Sequence, residues 1–357
     1  MALTVNQKVK IKITRQFVIV GVLLGIVYIY FANGVEEFYP YVNGVVVGIA
    51  IGLLLAILEL FVFARGAKKI KFIWLLSLRT LLYLILITAI IFIVVLISRM
   101  KRFDQGFLEA FQSSGFQEYL NSTNFSNAIV YTFIIAFSIN FVRMISRKMG
   151  QGMLVSYISG RYYAPIHQAR IILFIKIVDA KKIMHELGPH KLHEFLNELF
   201  YDYTIPVVAN RGIIYEYIED LAVITWSVDN GLRKANCIRT YFDIQQAIEM
   251  KKENYLEKYG FVPRVQAALH TGSVVRAEIG EVKTQIVFHG DTMNTTARIL
   301  EKCKELKLGL LASDQLIRMI GLPRIYNKSS VGEIELRGKQ EPIKLFEVKD
   351  KAIESEK

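Results

Sequence analysis

Apolar and polar positions divide the chain into two halves. Before residue 150 the apolar residues run almost unbroken, and four stretches approach or exceed the roughly 20 residues of helix that cross a bilayer: 17–32, 42–64, 73–97 and 128–145. After residue 169 the pattern shortens and alternates. Residues 170–178 read as a β-branched strand, and 181–208 as an amphipathic helix interrupted near Gly188 and Pro189. Two strands, 213–218 and 221–227, flank a tight turn at Glu219 and Asp220, and a helical stretch follows over 232–259. Strands are expected at 264–270, 273–279 and 284–289, a helix at 292–303, and a last strand at 343–348. Hairpins mixed with helices predict an α+β sandwich with its helices on one face of a sheet.

The expected organisation is a cytoplasmic segment (1–15), a four-helix transmembrane domain (16–149), a linker (150–168), a globular domain (169–350) and a charged tail (351–357). The linker sequence GQGMLVSYISGRYYAPIH, with its Gly, Pro and aromatic residues, argues against one continuous helix and fits docking at a membrane surface.

Composition sharpens this picture. The chain is 53% hydrophobic with a net charge of +12. The basic residues gather at the ends of the apolar runs (Lys8, Lys10, Lys12 and Arg15; Arg65, Lys68, Lys69 and Lys71; Arg143, Arg147 and Lys148). That placement is a topology signal and a lipid contact, not a nucleic-acid surface. It puts the N-terminus and the globular half in the cytoplasm, at the plasma (inner) membrane, and the loop carrying Glu36 and Glu37 outside. Arg99, Lys101 and Arg102, after the third run, go against the rule and are outvoted by the other three flanks. No small-residue cleavage site follows the first run, so it is a span and not a removable signal. Residues 103–125 read as a plain connector rather than a ligand surface. Glu59 and Arg79 lie inside apolar runs, where charges face a bundle interior and pair. Cys237 and Cys303 stand apart from any Cys-x-x-Cys or Cys/His cluster, so they are expected as buried thiols.

Chemistry concentrates in the second half. The segments LFIKIV (173–178), EYIEDLAVITW (216–226), ALHTGSVV (268–275), HGDTMNTTARI (289–299) and LRGKQEPIKLFEV (336–348) occur in that order. Together they resemble the class III adenylate/guanylate cyclase catalytic domain, and HGDTMNTTAR is the most specific of them. With the preceding spans, the chain is similar to membrane-bound bacterial members. The resemblance implies an N-terminal α-helical membrane bundle joined to a C-terminal α+β, ferredoxin-like cyclase domain. It also implies a dimer, purine nucleoside triphosphate as substrate, and Mg²⁺ or Mn²⁺ as cofactor. In that family the 3′-hydroxyl attacks the α-phosphorus, and two metals held by two Asp lower the barrier.

Carried over residue by residue, the second metal carboxylate falls on Asp220, with Glu219 where a Gly usually stands. The first falls on Lys176. An ammonium cannot ligate a divalent cation and at about 4 Å repels one; it is expected to pair with Asp220 instead. Asp179 lies past the strand and is a poor substitute, since strand side chains alternate faces. Asn294 and Arg298 match the pair that binds ribose and the transition-state phosphate, and their i, i+4 spacing puts both on one helix face. Lys339 matches the position that reaches the terminal phosphates, and Glu216 and Val287 match those that choose the base. Glu216 leans toward guanine, whereas Val287 supplies neither polar type.

Three readings follow. One is a cyclase-family protein that is weak or inactive alone. A second is a competent cyclase in a heterodimer with an intact relative. The third is a non-enzymatic receptor or scaffold that uses the domain to dimerise.

Overall fold

The computed structural model describes residues 5–33, 38–62, 71–150, 153–161, 163–281, 284–335 and 341–351. It separates into two compact units, Met1–Lys148 and Met149–Lys357.

The first unit is built on α1 (Val5–Asn33), α2 (Phe38–Ile57), α3 (Phe72–Phe103) and α6 (Thr123–Met149). Among the described residues, four helices are long and apolar enough to cross a membrane: Ile13–Tyr30, Tyr41–Phe61, Phe72–Phe103 and Thr123–Ser146. Outward side chains such as Leu23, Leu53, Leu78, Ile85 and Ile134 are exposed, as a lipid-facing surface requires. Glycine lets α1 and α2 touch backbone to backbone: a Cβ added at Gly21 would lie 2.3 Å from the Gly48 carbonyl oxygen. The last turns of α2 widen into a π segment, Leu58–Val62, that carries Glu59. The carboxylate is buried and meets Arg79 at 3.5 Å, so the two charges that the sequence places within apolar runs are partners. Residues 103–125 are more than a connector. They fold as α4 (Phe107–Gln112) and α5 (Ser114–Leu120), pinned by Phe116, which is fully buried beside Leu96 and Ala110. The apolar side chains that pack this cap are too few to give a periodic signal.

The second unit begins with α7 (Met153–Ile158), inside the expected linker, and continues into β1 (Ile166–Ile177). Next come α8 (Ala180–Ala209), β2 (Ile213–Ile218), β3 (Leu221–Ser227), α9 (Val228–Leu232), α10 (Asn236–Glu249) and α11 (Lys252–Tyr259). They are followed by β4 (Val265–Ile279), β5 (Gln285–His289), α12 (Asp291–Glu305), β6 (Leu310–Ser313), α13 (Asp314–Ile320), β7 (Tyr326–Ile334) and β8 (Ile343–Asp350). The sheet runs β2-β3-β1-β4-β6-β8-β7, with β5 paired to β4. Among the described residues only the β4–β6 pair is parallel, which makes the sheet mixed.

Helices cover both faces, against the expectation of one. Ile171, Leu173, Ile175 and Ile177 point to a core shared with Phe195, Leu199 and Tyr203 of α8 and Ile238 and Tyr241 of α10. Ile172 and Phe174 point the other way, onto Ile299, Leu300 and Cys303 of α12. A strand buried on both sides loses its polar/apolar alternation, and so 170–178 is apolar throughout. Gly188, in the left-handed region at φ 66°, interrupts α8 before Pro189 where the sequence marks a break.

Three other expectations change. The helical stretch 232–259 is not one helix: Lys234 and Ala235, with left-handed φ values of 54° and 53°, separate α9 from α10, and a second break at residues 250–251 separates α10 from α11. The strands expected at 264–270 and 273–279 are one strand, β4. Gly272 between them is not a turn: a Cβ there would lie 2.5 Å from Thr292 Oγ1, so this glycine admits α12 to the sheet. Finally, β6, α13 and β7 lie in a region the sequence pattern left unassigned.

Candidate functional site

The candidate residue Lys176 lies on the sheet face covered by α12. Strand β1 places Lys176 opposite Leu221 of β3 and Gln266 of β4. By alternation Lys176 shares a face with Ile172 and Phe174, which pack beneath α12. The β2–β3 turn is tied back to β1 by the Ile177 N–H, which donates to the Asp220 carbonyl at 3.2 Å. This brings the Asp220 carboxylate to the end of Lys176, with Nζ 3.5 Å from Oδ1. The aspartate side chain is 7% exposed and the lysine 42%, so the lysine reaches in from solvent over a buried acid. Glu219 beside it holds φ 51°, a left-handed conformation that costs a residue with a Cβ about 1–2 kcal/mol. The turn keeps glycine geometry without glycine.

A divalent cation does not fit between these residues. A hard ion needs several anionic oxygens, and here the one buried carboxylate faces an ammonium. Among the described residues, no group of three or more His, Cys, Asp or Glu side chains converges as a metal cradle. Asp179 gives no replacement. It caps α8 in a left-handed conformation, with its carboxylate 3.5 Å from Arg264 in solvent.

Helix α12 presents the second candidate set. Thr292, Thr295, Thr296, Ile299, Leu300 and Cys303 form its buried side. Asn294 is exposed and Arg298 half-buried on the opposite side. Arg298 Nη1 donates to both oxygens of Glu301, at 2.8 and 2.9 Å, which holds the guanidinium at the rim.

Glu216 is turned by a β-bulge. The register jumps between Ile214 and Glu216, which leaves Glu216 exposed opposite Val223, on the same face as Lys176. Val287 is half-buried in β5, opposite Ala277. Tyr215 links the two regions: its ring stacks on Phe288 at 4.6 Å, and its hydroxyl accepts the Phe288 N–H at 3.0 Å. Burial raises the Tyr215 pKa above its ordinary value despite that hydrogen bond. Tyr215 was not singled out from the sequence, where one aromatic in a strand has no distinguishing signal. Lys339 lies outside the described residues, as do 65–70, Glu36, Glu37 and the tail after 351.

This helix-backed mixed sheet with an edge hairpin is the domain that the family comparison identifies as a nucleotide-cyclase type. Residues 162–349, just over half of the chain, match the family model described as the adenylate and guanylate cyclase catalytic domain. Adenylate cyclase 2 of Rhizobium meliloti is 37% identical over 213 residues, which are 60% of this chain and 59% of that protein. A receptor-type guanylate cyclase of Caenorhabditis elegans is 23% identical over 47% of this chain and 16% of its own length. The chain thus spans less than two thirds of these relatives. Among solved structures, a bacterial light-regulated adenylyl cyclase aligns with a TM-score of 0.51 at 19% identity, over 61% of this chain and 63% of the other. The chain belongs to the adenylate/guanylate cyclase family.

Proposed function

We propose that this chain is a membrane-anchored cyclase-family protein of cyclic nucleotide signalling whose own metal site is disabled. The observation that carries this reading is the ion pair between Lys176 Nζ and Asp220 Oδ1 at 3.5 Å. It satisfies the buried carboxylate with a fixed cation, in the place where the family's reaction needs a mobile divalent one. Catalysis by preorganised charge falls steeply when one element is removed, by about 10²- to 10³-fold for a single donor. Here a ligand is lost and a like charge is added. The four apolar helices support anchoring in the plasma (inner) membrane, and the basic flanks favour a cytoplasmic N-terminus and cyclase domain.

The test is cyclic nucleotide production by purified full-length protein with ATP or GTP and Mg²⁺ or Mn²⁺. Wild type is expected to be silent, and Lys176→Asp combined with Glu219→Gly to gain turnover. Metal-dependent turnover by wild type that Asp220→Ala abolishes would overturn the reading.

One observation favours a second role. Asn294 and Arg298 stand on the open side of α12, away from the core. In a head-to-tail heterodimer with an intact relative, this chain supplies Asn294 and Arg298 while the partner supplies both metal carboxylates. Co-expression with such a relative is expected to give activity that Asn294→Ala removes. Activity indifferent to Asn294 would count against it. The purine is undecided between adenine and guanine, with Glu216 favouring guanine.

A further inference from the structure

The bundle of the first unit encloses a cavity of about 520 Å³ between α1, α2, α3 and α6. That is within the range of about 300–1,000 Å³ typical of small-molecule sites. We propose that it binds a single-chain amphiphilic anion, a long-chain carboxylate such as a fatty acid. The proposal rests on the membrane anchoring argued above and is independent of whether the cyclase domain turns over.

The cavity is polarised along its length. Its deep part is apolar, lined by Phe17, Leu55, Ile87 and Ala136, all buried. At the end formed by the last turns of α3, the lining includes Arg99 and Arg102. Both guanidinium groups lie over the Phe103 ring, at 5.9 and 5.8 Å from its centroid, which keeps them gathered at the opening. Arg99 donates one long hydrogen bond, 3.4 Å, to Ser113 Oγ. An arginine has five N–H donors, so most of its capacity is left for a ligand. Among the described residues, no acidic side chain lines the cavity.

These features select the ligand. Two arginines, with no carboxylate beside them among the described residues, favour an anion over a cation, and Arg suits bidentate contact with a carboxylate. Polar side chains such as Tyr28, Asn43 and Tyr131 also line the cavity, but its deep part is apolar, and there an alkyl chain gains about 0.8 kcal/mol per CH₂ that it buries. Between four helices, a space of this size takes one chain more readily than the splayed pair of a phospholipid. The sequence supplies an independent argument. Arg99 and Arg102 belong to the one basic flank that opposes the orientation set by the other three. Cations retained against the topology rule are explained if they hold an anion.

The test uses full-length protein in phosphatidylcholine nanodiscs, with tritiated palmitate as probe. Saturable binding is expected, displaced by unlabelled palmitate but not by hexadecanol, which has the same chain without the charge. Replacing both arginines (Arg99→Glu with Arg102→Glu) is expected to weaken binding about ten-fold or more, as loss of charge-assisted hydrogen bonds does, at an unchanged thermal midpoint. The hexadecanol comparison needs no variant, so a misfolded double mutant leaves the test intact. Non-saturable uptake, or equal displacement by hexadecanol, overturns the proposal. So does loss of palmitate binding in phosphatidylglycerol nanodiscs, which identifies the bilayer's own anionic lipid as the occupant. Alkaline extraction of native membranes tests the anchoring by itself. Absent palmitate binding in a chain that resists extraction therefore removes the site and leaves the anchoring in place.

Discussion

Arg143 Nη2 stands 3.2 Å from Glu59 Oε1, while Arg79 Nη1 stands 3.5 Å from Oε2 of the same carboxylate. Tyr83 adds its hydroxyl as a donor to Oε2 at 3.3 Å. One acid therefore ties the π segment of α2 to both α3 and α6. A π turn widens the helix and turns a side chain that regular α geometry would aim elsewhere.

Glu59→Gln tests that knot. The substitution leaves the shape but removes the charge between two arginines, one of them buried. Breaking a buried pair on one side costs about 3–5 kcal/mol, because the remaining charge is left uncompensated. The expected result is a clear fall in the thermal midpoint of the protein in detergent. Pairing Glu59→Leu with Arg79→Leu is expected to recover part of the loss. A Glu59→Gln protein as stable as wild type would show that the charge is not what holds these helices.

Cys237 and Cys303 are free and buried in the globular unit. Burial pushes both thiols up to about 12. The thiolate is the reactive form, so at mildly alkaline pH neither should react with iodoacetamide in the folded protein, and both should react in urea. Mass spectrometry of the alkylated chain decides it. Rapid labelling of either thiol without denaturant would contradict the burial.

The sequence carries much of this architecture, and where it fails the reasons are physical. The four apolar runs are visible because bilayer-crossing helices need unbroken hydrophobicity. The pairing of Lys176 with Asp220 is legible only through the family resemblance, which puts the two residues at neighbouring carboxylate positions. The glycine contact between Gly21 and Gly48 is not, since close packing depends on which helix faces which. Gly272 misleads, because a glycine needed for close approach looks the same in sequence as one needed for a turn. The second covered face is not legible, because the amphipathic pattern of α12 does not say which face of the sheet it covers. Glu216 is on the Lys176 face only through a bulge, and a one-residue shift in register leaves no trace in composition.

Manganese binding gives a direct physical test of the site, separate from turnover. Wild type should leave the spectrum of added Mn²⁺ unchanged in electron paramagnetic resonance titrations, since Lys176 already neutralises Asp220. Lys176→Asp puts a second carboxylate beside the first and should bind the ion saturably, and Asp220→Asn in that background should remove it. Saturable Mn²⁺ binding by wild type that Asp220→Asn abolishes would show that the ammonium yields to the metal.

Glu198 of α8 provides the last test, of how the globular unit responds to acid. Its carboxylate accepts hydrogen bonds from Asn254 at 2.8 Å, Tyr259 at 3.0 Å and Lys258 at 3.1 Å, joining α8 to α11. Burial alone would raise its pKa, but these partners outweigh it and hold the group below its ordinary value of 4.5. A carboxylate lowered by folding stabilises the native state above its unfolded pKa, and that contribution disappears as pH falls through the folded value. Stability should therefore be flat near neutrality and decline from about pH 4.5 downward, with Glu198 supplying part of the slope. In urea titrations from about pH 6 to about pH 3, Glu198→Gln should start less stable and lose less as the acid limb is crossed. The group is partly open to solvent, so the difference between the two proteins should shrink at high salt. Parallel pH profiles for the two proteins would mean that the α8–α11 contact does not draw on the charge of Glu198.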